Sequence, residues 1–192
     1  LAIVTGRAIP VLDGFLGGGY ALAGEHGGAV RHAPDGPTER PDLPTAPESW
    51  LLRSEALTAA HPGTLLERKA RGFAVHFRLA PDAGPIVHTA LSAMVAEVPG
   101  FQLMGGTMIW EVRPEGADKG SAVAALMARP PFLGRVPVFI GDDLTDEDGM
   151  RVARAMGGKG LRVDSAFGNP AGVRAWLTQA AAIRDWPIRD GS

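Results

Sequence analysis

Five carboxylates fall within the stretch VFIGDDLTDEDGM, residues 138–150: Asp142, Asp143, Asp146, Glu147 and Asp148. They follow an apolar run, Val138 to Ile140, that reads as a buried strand with Gly141 at its end. In an open α/β sheet, polar residues at the carboxyl ends of parallel strands line the ligand crevice. Asp142 and Asp143 stand at such an end, and carboxylates clustered there point to a divalent cation. Magnesium takes oxygen ligands in an octahedral shell and keeps several waters, so one or two carboxylates plus a phosphate oxygen are enough to hold it. The remaining three acids have a plainer explanation. Thr145 followed by Asp148 has the spacing of a helix cap, and acidic residues in a first helical turn are favoured by the helix dipole.

Two further apolar runs end in polar side chains. Leu1 to Val4 leads into Thr5, Gly6 and Arg7, and YALAGEHGG at 20–28 leads into Glu25, His26 and two glycines. The elements that carry these groups follow from periodicity. Residues 33–48, APDGPTERPDLPTAPE, are rich in proline and charge and read as an irregular connection and candidate domain boundary. A helix is expected over 48–60. Two strands are expected around an Arg71–Gly72 turn, with Phe73, Val75 and Phe77 on one face and His76 and Arg78 on the other. Val87, Leu91, Met94 and Val98 recur at helical spacing, and 107–113 alternates as a strand. Beyond it come a helix from about 119, a strand at 136–140, a helix near 146–156 ending at Gly157–Gly158, a strand at 161–163, and a helix opened by Asn169–Pro170. Alternating α/β structure thus surrounds an α+β insertion. The division expected is a core of 1–33 and 114–192 with an inserted domain over 34–113.

Composition narrows the classes. The 192 residues are 45% hydrophobic and can build a real core, and 19 basic against 21 acidic side chains give a net charge of −2. Such a balance offers no general attraction to nucleic acid or anionic membrane. There is no cysteine, hence no disulfide or thiolate chemistry, and the five histidines lack a zinc-ligand spacing. With no long apolar run, a monomer in the cytoplasm is the default expectation. The chain opens LAIVTGR without a methionine, as though in the middle of a strand, and an upstream segment is expected.

GDDLTDED after an apolar strand resembles the fourth motif of haloacid dehalogenase-like phosphatases, in the form carried by the trehalose-6-phosphate phosphatases. IVTGR resembles their second motif and RPEGADKG the lysine-bearing third, while AGEHGGAVR and LLERKARGFAVHFR resemble segments at the start and middle of that family's cap. The resemblance spans nearly the whole chain in the family's order. It implies an α/β fold, a Rossmann-like haloacid dehalogenase core with an inserted α+β cap of the C2 type. It also implies a magnesium-dependent hydrolase that frees phosphate from a small substrate, trehalose 6-phosphate, by way of an aspartyl-phosphate. On this resemblance Thr5 and Lys119 would hold the phosphate, Asp142 would hold Mg2+ and Asp143 would orient its water shell. Glu67, Lys69 and Glu111 would grip the distal glucose, with Arg7, Glu25, His26 and Arg31 as further substrate contacts.

One motif is missing. The family's first motif, Asp-x-Asp-Gly-Thr, supplies the nucleophile and has no match here, so it is expected upstream of Leu1 in a βα unit of roughly 30 residues. Another capped sugar phosphatase, for sucrose or mannosylglycerate phosphates, is the enzymatic alternative. A catalytically silent phosphosugar-binding module is the other. An intact upstream motif would separate the enzymes from the module.

Overall fold

The computed structural model describes residues 1–183. They form two compact units, Leu1–Asp118 and the segment from Lys119 on.

The first unit holds two sheets. β1 (Ala2–Val4) runs parallel to β2 (Ala21–Gly24), joined by α1 (Ile9–Leu16), and β3 (Ala29–Arg31) returns antiparallel to β2. Ile9 and Leu12 of α1 pack on Leu22 and Ala29, which accounts for the apolar β2, while Val11, Phe15 and Leu16 of the same helix are exposed. The proline-rich connection is irregular as expected, but it is not detached. Glu39 exchanges both backbone hydrogen bonds with Val30 and so covers the outer edge of β3.

The second sheet of this unit is antiparallel, in the order β4 (Leu65–Arg68), β5 (Phe73–His76), β7 (Ile109–Pro114), β6 (Phe101–Gly106). α2 (Glu48–Ala60) and α3 (Gly84–Glu97) supply its apolar cover: Trp50, Val87, Leu91 and Met94 close over Phe73, Val75, Phe101 and Val112. Trp50 meets Phe101 edge to face with ring centroids 5.2 Å apart. Alternation places Phe73 and Val75 correctly in the core, although Ala74 between them is buried as well, and in β7 Arg113 is buried beside Val112. It misses β6, whose Gly105 and Gly106 break the apolar pattern; a Cβ at either would press on Trp110 or Ile109 of the neighbouring strand. The β4–β5 turn is centred one residue earlier than expected, on Ala70 and Arg71, because the Lys69 N–H donates to the Gly72 carbonyl.

The second unit is α/β. α4 (Lys119–Met127) precedes β8 (Val138–Gly141), α5 (Asp146–Ala155) crosses to β9 (Lys159–Arg162), and β8 and β9 pair in parallel. Gly157 takes a left-handed φ of 78° just past α5 and lets the chain reverse. β9 starts two residues earlier than apolar content suggests, because Gly160 must lie against Met150 where a Cβ would collide. After α6 (Val163–Phe167), α7 (Pro170–Ala182) starts where the Asn-Pro pair indicates: the Asn169 side chain accepts the N–H groups of Ala171 and Gly172. Among the described residues no helix is long and apolar enough to cross a membrane.

Leu91 is fully buried under the four-stranded sheet. Leu91→Ala should therefore cost about 2–5 kcal/mol, read as a lowered urea midpoint with an unchanged slope.

Candidate active site

β8 delivers its last residue, Gly141, into a turn that leads directly to α5. The turn is closed by the Asp146 N–H on the Asp143 carbonyl, 3.0 Å, and the Glu147 N–H on the Leu144 carbonyl, 3.2 Å. Asp146 then organises it from within. Its Oδ2 accepts the backbone N–H groups of Asp142 and Asp143, each at 2.9 Å, and its Oδ1 accepts Lys119 Nζ at 2.5 Å. Both partners of the ion pair are buried, Asp146 at 5% exposure and Lys119 at 7%. A Cβ on Gly141 would collide with the Asp146 carboxyl group, so this strand must end in glycine.

This arrangement corrects the expected cap. Thr145 precedes α5, but its φ of −68° and ψ of −13° are already helical and its side chain makes no capping bond. The side chain that binds free N–H groups here is Asp146, and it binds those of the preceding loop. In the sequence Asp146 is one of three helix-start acids, and neither spacing nor residue type distinguishes it from Glu147 or Asp148. Only the fold does, by burying it against Lys119. Glu147 pairs with Arg162 and Asp148 with Arg151, both outside the buried cluster.

Burial pushes the Asp146 carboxyl group up, but the Lys119 hydrogen bond, the two backbone donors and the Lys119 charge outweigh it. Its pKa lies below the ordinary carboxylate value. Asp146 is thus ionised with both oxygens engaged. Asp142 and Asp143 differ: they are exposed, and their carboxylates have no protein partner among the described residues. One oxygen from each of Asp142, Asp143 and Asp146 lies within 4.8 Å of the others. Hard oxygen donors with open lone pairs at this spacing fit Mg2+ or Mn2+, and the two free carboxylates, not Asp146, are the ones with capacity to spare.

The remaining candidates lie in the first unit. Thr5 follows β1, donates its N–H to the Ala23 carbonyl at 2.9 Å, and accepts the Arg7 N–H on its hydroxyl at 3.2 Å. Glu25 and His26 follow β2, both left-handed with φ of 54° and 56°. Their N–H groups are held by the carbonyls of Arg7 and Thr5, at 3.0 and 2.9 Å, so the turn is fixed to the end of β1. Gly6 is required beside it, because any Cβ would overlap the His26 ring.

Gly6, Glu25 and His26, though not Thr5, share a cleft of about 700 Å³ with β4; its lining includes Arg7, Glu25, His26, Arg40, Glu67 and Lys69. Lys69 Nζ lies 2.8 Å from Glu111 Oε1, and His26 Nε2 lies 4.0 Å from Glu111 Oε2. Glu67 and Glu111 occupy one row across the sheet, each opposite Ala74 of β5, and Glu67 also meets His76 at 2.8 Å. Arg31 is placed differently. It is buried and bidentate to Asp13, at 2.6 and 2.9 Å, and is a structural tie, not a cleft residue. Arg40 was not anticipated: from the proline-rich connection it grips Glu25 with two hydrogen bonds of 2.8 and 2.9 Å. An arginine in an irregular segment gives no sequence signal for such a partner.

Residues 1–171 match the trehalose-phosphatase family. The chain belongs to that family. It is 37% identical over 165 residues to trehalose-6-phosphate phosphatase of Escherichia coli K12 and 38% identical over the same length to a probable trehalose-phosphate phosphatase of Sinorhizobium fredii. Each match takes in 85% of this chain and 62% of the relative, so the chain spans less than two thirds of these relatives' length. Among solved structures, the C-terminal domain of the Candida albicans trehalose-6-phosphate phosphatase superposes with a TM-score of 0.63 at 25% identity, over 81% of this chain and 60% of that one. The fold is the α/β fold of haloacid dehalogenase-like phosphatases, as the motifs imply.

The buried pair carries a pH signature. Because the folded pKa of Asp146 is lowered, its contribution to stability is complete above the unfolded value of about 3.9 and is lost as pH falls through the folded value. Asp146→Asn strands Lys119 without a counter-charge and should cost about 3 kcal/mol at neutral pH. Urea denaturation as a function of pH should show that difference shrinking below pH about 4.

Proposed function

We propose that the family fold here serves hydrolysis of trehalose 6-phosphate to trehalose and phosphate. The observation that carries this reading is the family match across residues 1–171, a span that includes both the acidic loop and every polar residue of the cleft. The reading assigns the phosphatase core to 1–33 and 114–192 and the cap to 34–113, which contains the antiparallel sheet except Pro114 at the end of β7.

Within that reading the residues divide the work by chemistry. Thr5, with a hydroxyl at the carboxyl end of β1, hydrogen-bonds a phosphoryl oxygen. Lys119, buried and cationic, holds Asp146 and offers positive charge toward the phosphoryl group. Asp142 would hold Mg2+, and Asp143 would orient the water around it. Bound magnesium would shield the repulsion between a phosphate dianion and an approaching carboxylate. The attacking aspartate belongs to an Asp-x-Asp-Gly-Thr segment, a motif that residues 1–192 do not contain.

The cleft suits a hydroxyl-rich substrate. Glu67 and Lys69 line the cleft with Glu25, His26 and Arg7, and Glu111, in the same row across the sheet as Glu67, reaches it through Lys69. Binding energy from a sugar remote from phosphorus, held by these groups, would be available to orient the phosphate for reaction.

Phosphate release is to be assayed with saturating magnesium in a protein that joins an Asp-x-Asp-Gly-Thr strand to residues 1–192. Asp142→Asn should abolish turnover of both trehalose 6-phosphate and para-nitrophenyl phosphate while the protein stays folded. Changing Lys69→Ala and Glu111→Ala together leaves no unpaired charge behind. That pair should lower kcat/KM for trehalose 6-phosphate by about two powers of ten and barely affect para-nitrophenyl phosphate. Equal losses on the two substrates would overturn the disaccharide assignment.

A further inference from the structure

Arg162 is the last residue of β9 and lies directly beside Gly141, the last residue of β8. From there its guanidinium spans the acidic loop. Nη2 donates to the backbone carbonyl of Asp142 at 3.0 Å, and Nη1 donates to Glu147 Oε1, in the first turn of α5, at 2.5 Å. Nε lies 3.4 Å from Asp164 Oδ1. One planar fork thus connects a strand end, a loop carbonyl and a helix.

The effect on Asp142 is specific. Its N–H is held from the buried side by Asp146, and its carbonyl is held from the outer side by Arg162. Both backbone polar groups of this residue are fixed, while its carboxylate stays exposed and without a protein partner among the described residues. A ligand whose backbone is pinned on both sides loses less conformational freedom when it takes a cation, and groups that orient metal ligands contribute to affinity through this route.

We infer that Arg162 is a positioning residue for the divalent-cation site, clamping the Asp142 carbonyl to α5 so that the Asp142 carboxylate is set before the ion arrives. The inference rests on the reading that this loop holds Mg2+. It competes with a simple alternative of opposite sign. A guanidinium so near the loop repels a cation, and on electrostatics alone its removal would tighten binding. Glu147 and Asp164 both face that guanidinium and offset its charge, so the hydrogen bond to Asp142 is the larger effect. Lysine cannot replace it, since a single ammonium does not reproduce a planar fork that serves a carbonyl and a carboxylate together.

The test is the dissociation constant of Mn2+, followed by the electron paramagnetic resonance of the free ion, for the full chain and three variants. Arg162→Ala and Arg162→Lys should each bind Mn2+ about tenfold more weakly. Arg151→Ala removes a positive charge from α5 without touching the loop and should leave the affinity unchanged. All are measured well below their unfolding temperatures, checked by circular dichroism, so a role in stability alone would not move the constant. Equal or tighter binding by Arg162→Ala would overturn the clamp, as would full recovery in Arg162→Lys. Absence of Mn2+ binding by the unaltered chain would instead overturn the cation reading itself, and this inference with it.

Discussion

The Asp146 carboxylate is the contact on which the acidic loop depends. A buried charge is tolerable only when paired and fully hydrogen-bonded, and this one is both: Lys119 on one oxygen, two loop N–H groups on the other. The pairing explains several features that otherwise look unrelated. Gly141 must lack a side chain to admit the carboxyl group. Lys119 sits at the start of α4, where the helix dipole disfavours a cation, because its charge is cancelled locally. Asp142 and Asp143 project outward because their backbones are drawn inward.

The other candidates are held by the same economy of means, a backbone fixed so that a side chain can remain free. Glu25 and His26 occupy left-handed conformations that cost of order 1–3 kcal/mol each, and such strain persists only where the surroundings enforce it. Here the carbonyls of Thr5 and Arg7 take their N–H groups, and Arg40 holds the Glu25 side chain. The proline-rich connection that supplies Arg40 is therefore more than a spacer. It covers the edge of β3 through Glu39 and braces the cleft through the next residue.

Charge distribution in the cleft favours selectivity over raw attraction. Lys69 is neutralised by Glu111, Arg40 by Glu25, and Glu67 shares a hydrogen bond with His76. A ligand rich in hydroxyl groups can insert into such a network by exchanging hydrogen bonds, whereas an apolar ligand would leave paired polar groups desolvated. On the proposed function, such a site would discriminate by the number and placement of hydroxyls.

The amino-acid sequence alone determined the elements with a clear period or cap and the chemistry of the strand ends, whereas α1 and β3 came only from the fold. Apolar runs ending in Thr5, Glu25 and Asp142 needed no structure to be recognised, and Asn169–Pro170 marked the start of α7, because periodicity and capping are local properties. Tertiary structure alone decided which polar group meets which. It separated Asp146 from Glu147 and Asp148, moved Arg31 from the cleft to Asp13, brought Arg40 to Glu25, and placed Arg162 against the Asp142 carbonyl. It also restored β6, whose glycines are dictated by Trp110 and Ile109 on the next strand. The physical reason is the same in each case. A long charged side chain reaches partners many residues away in sequence, and only the fold sets which of several equivalent carboxylates is buried within its reach.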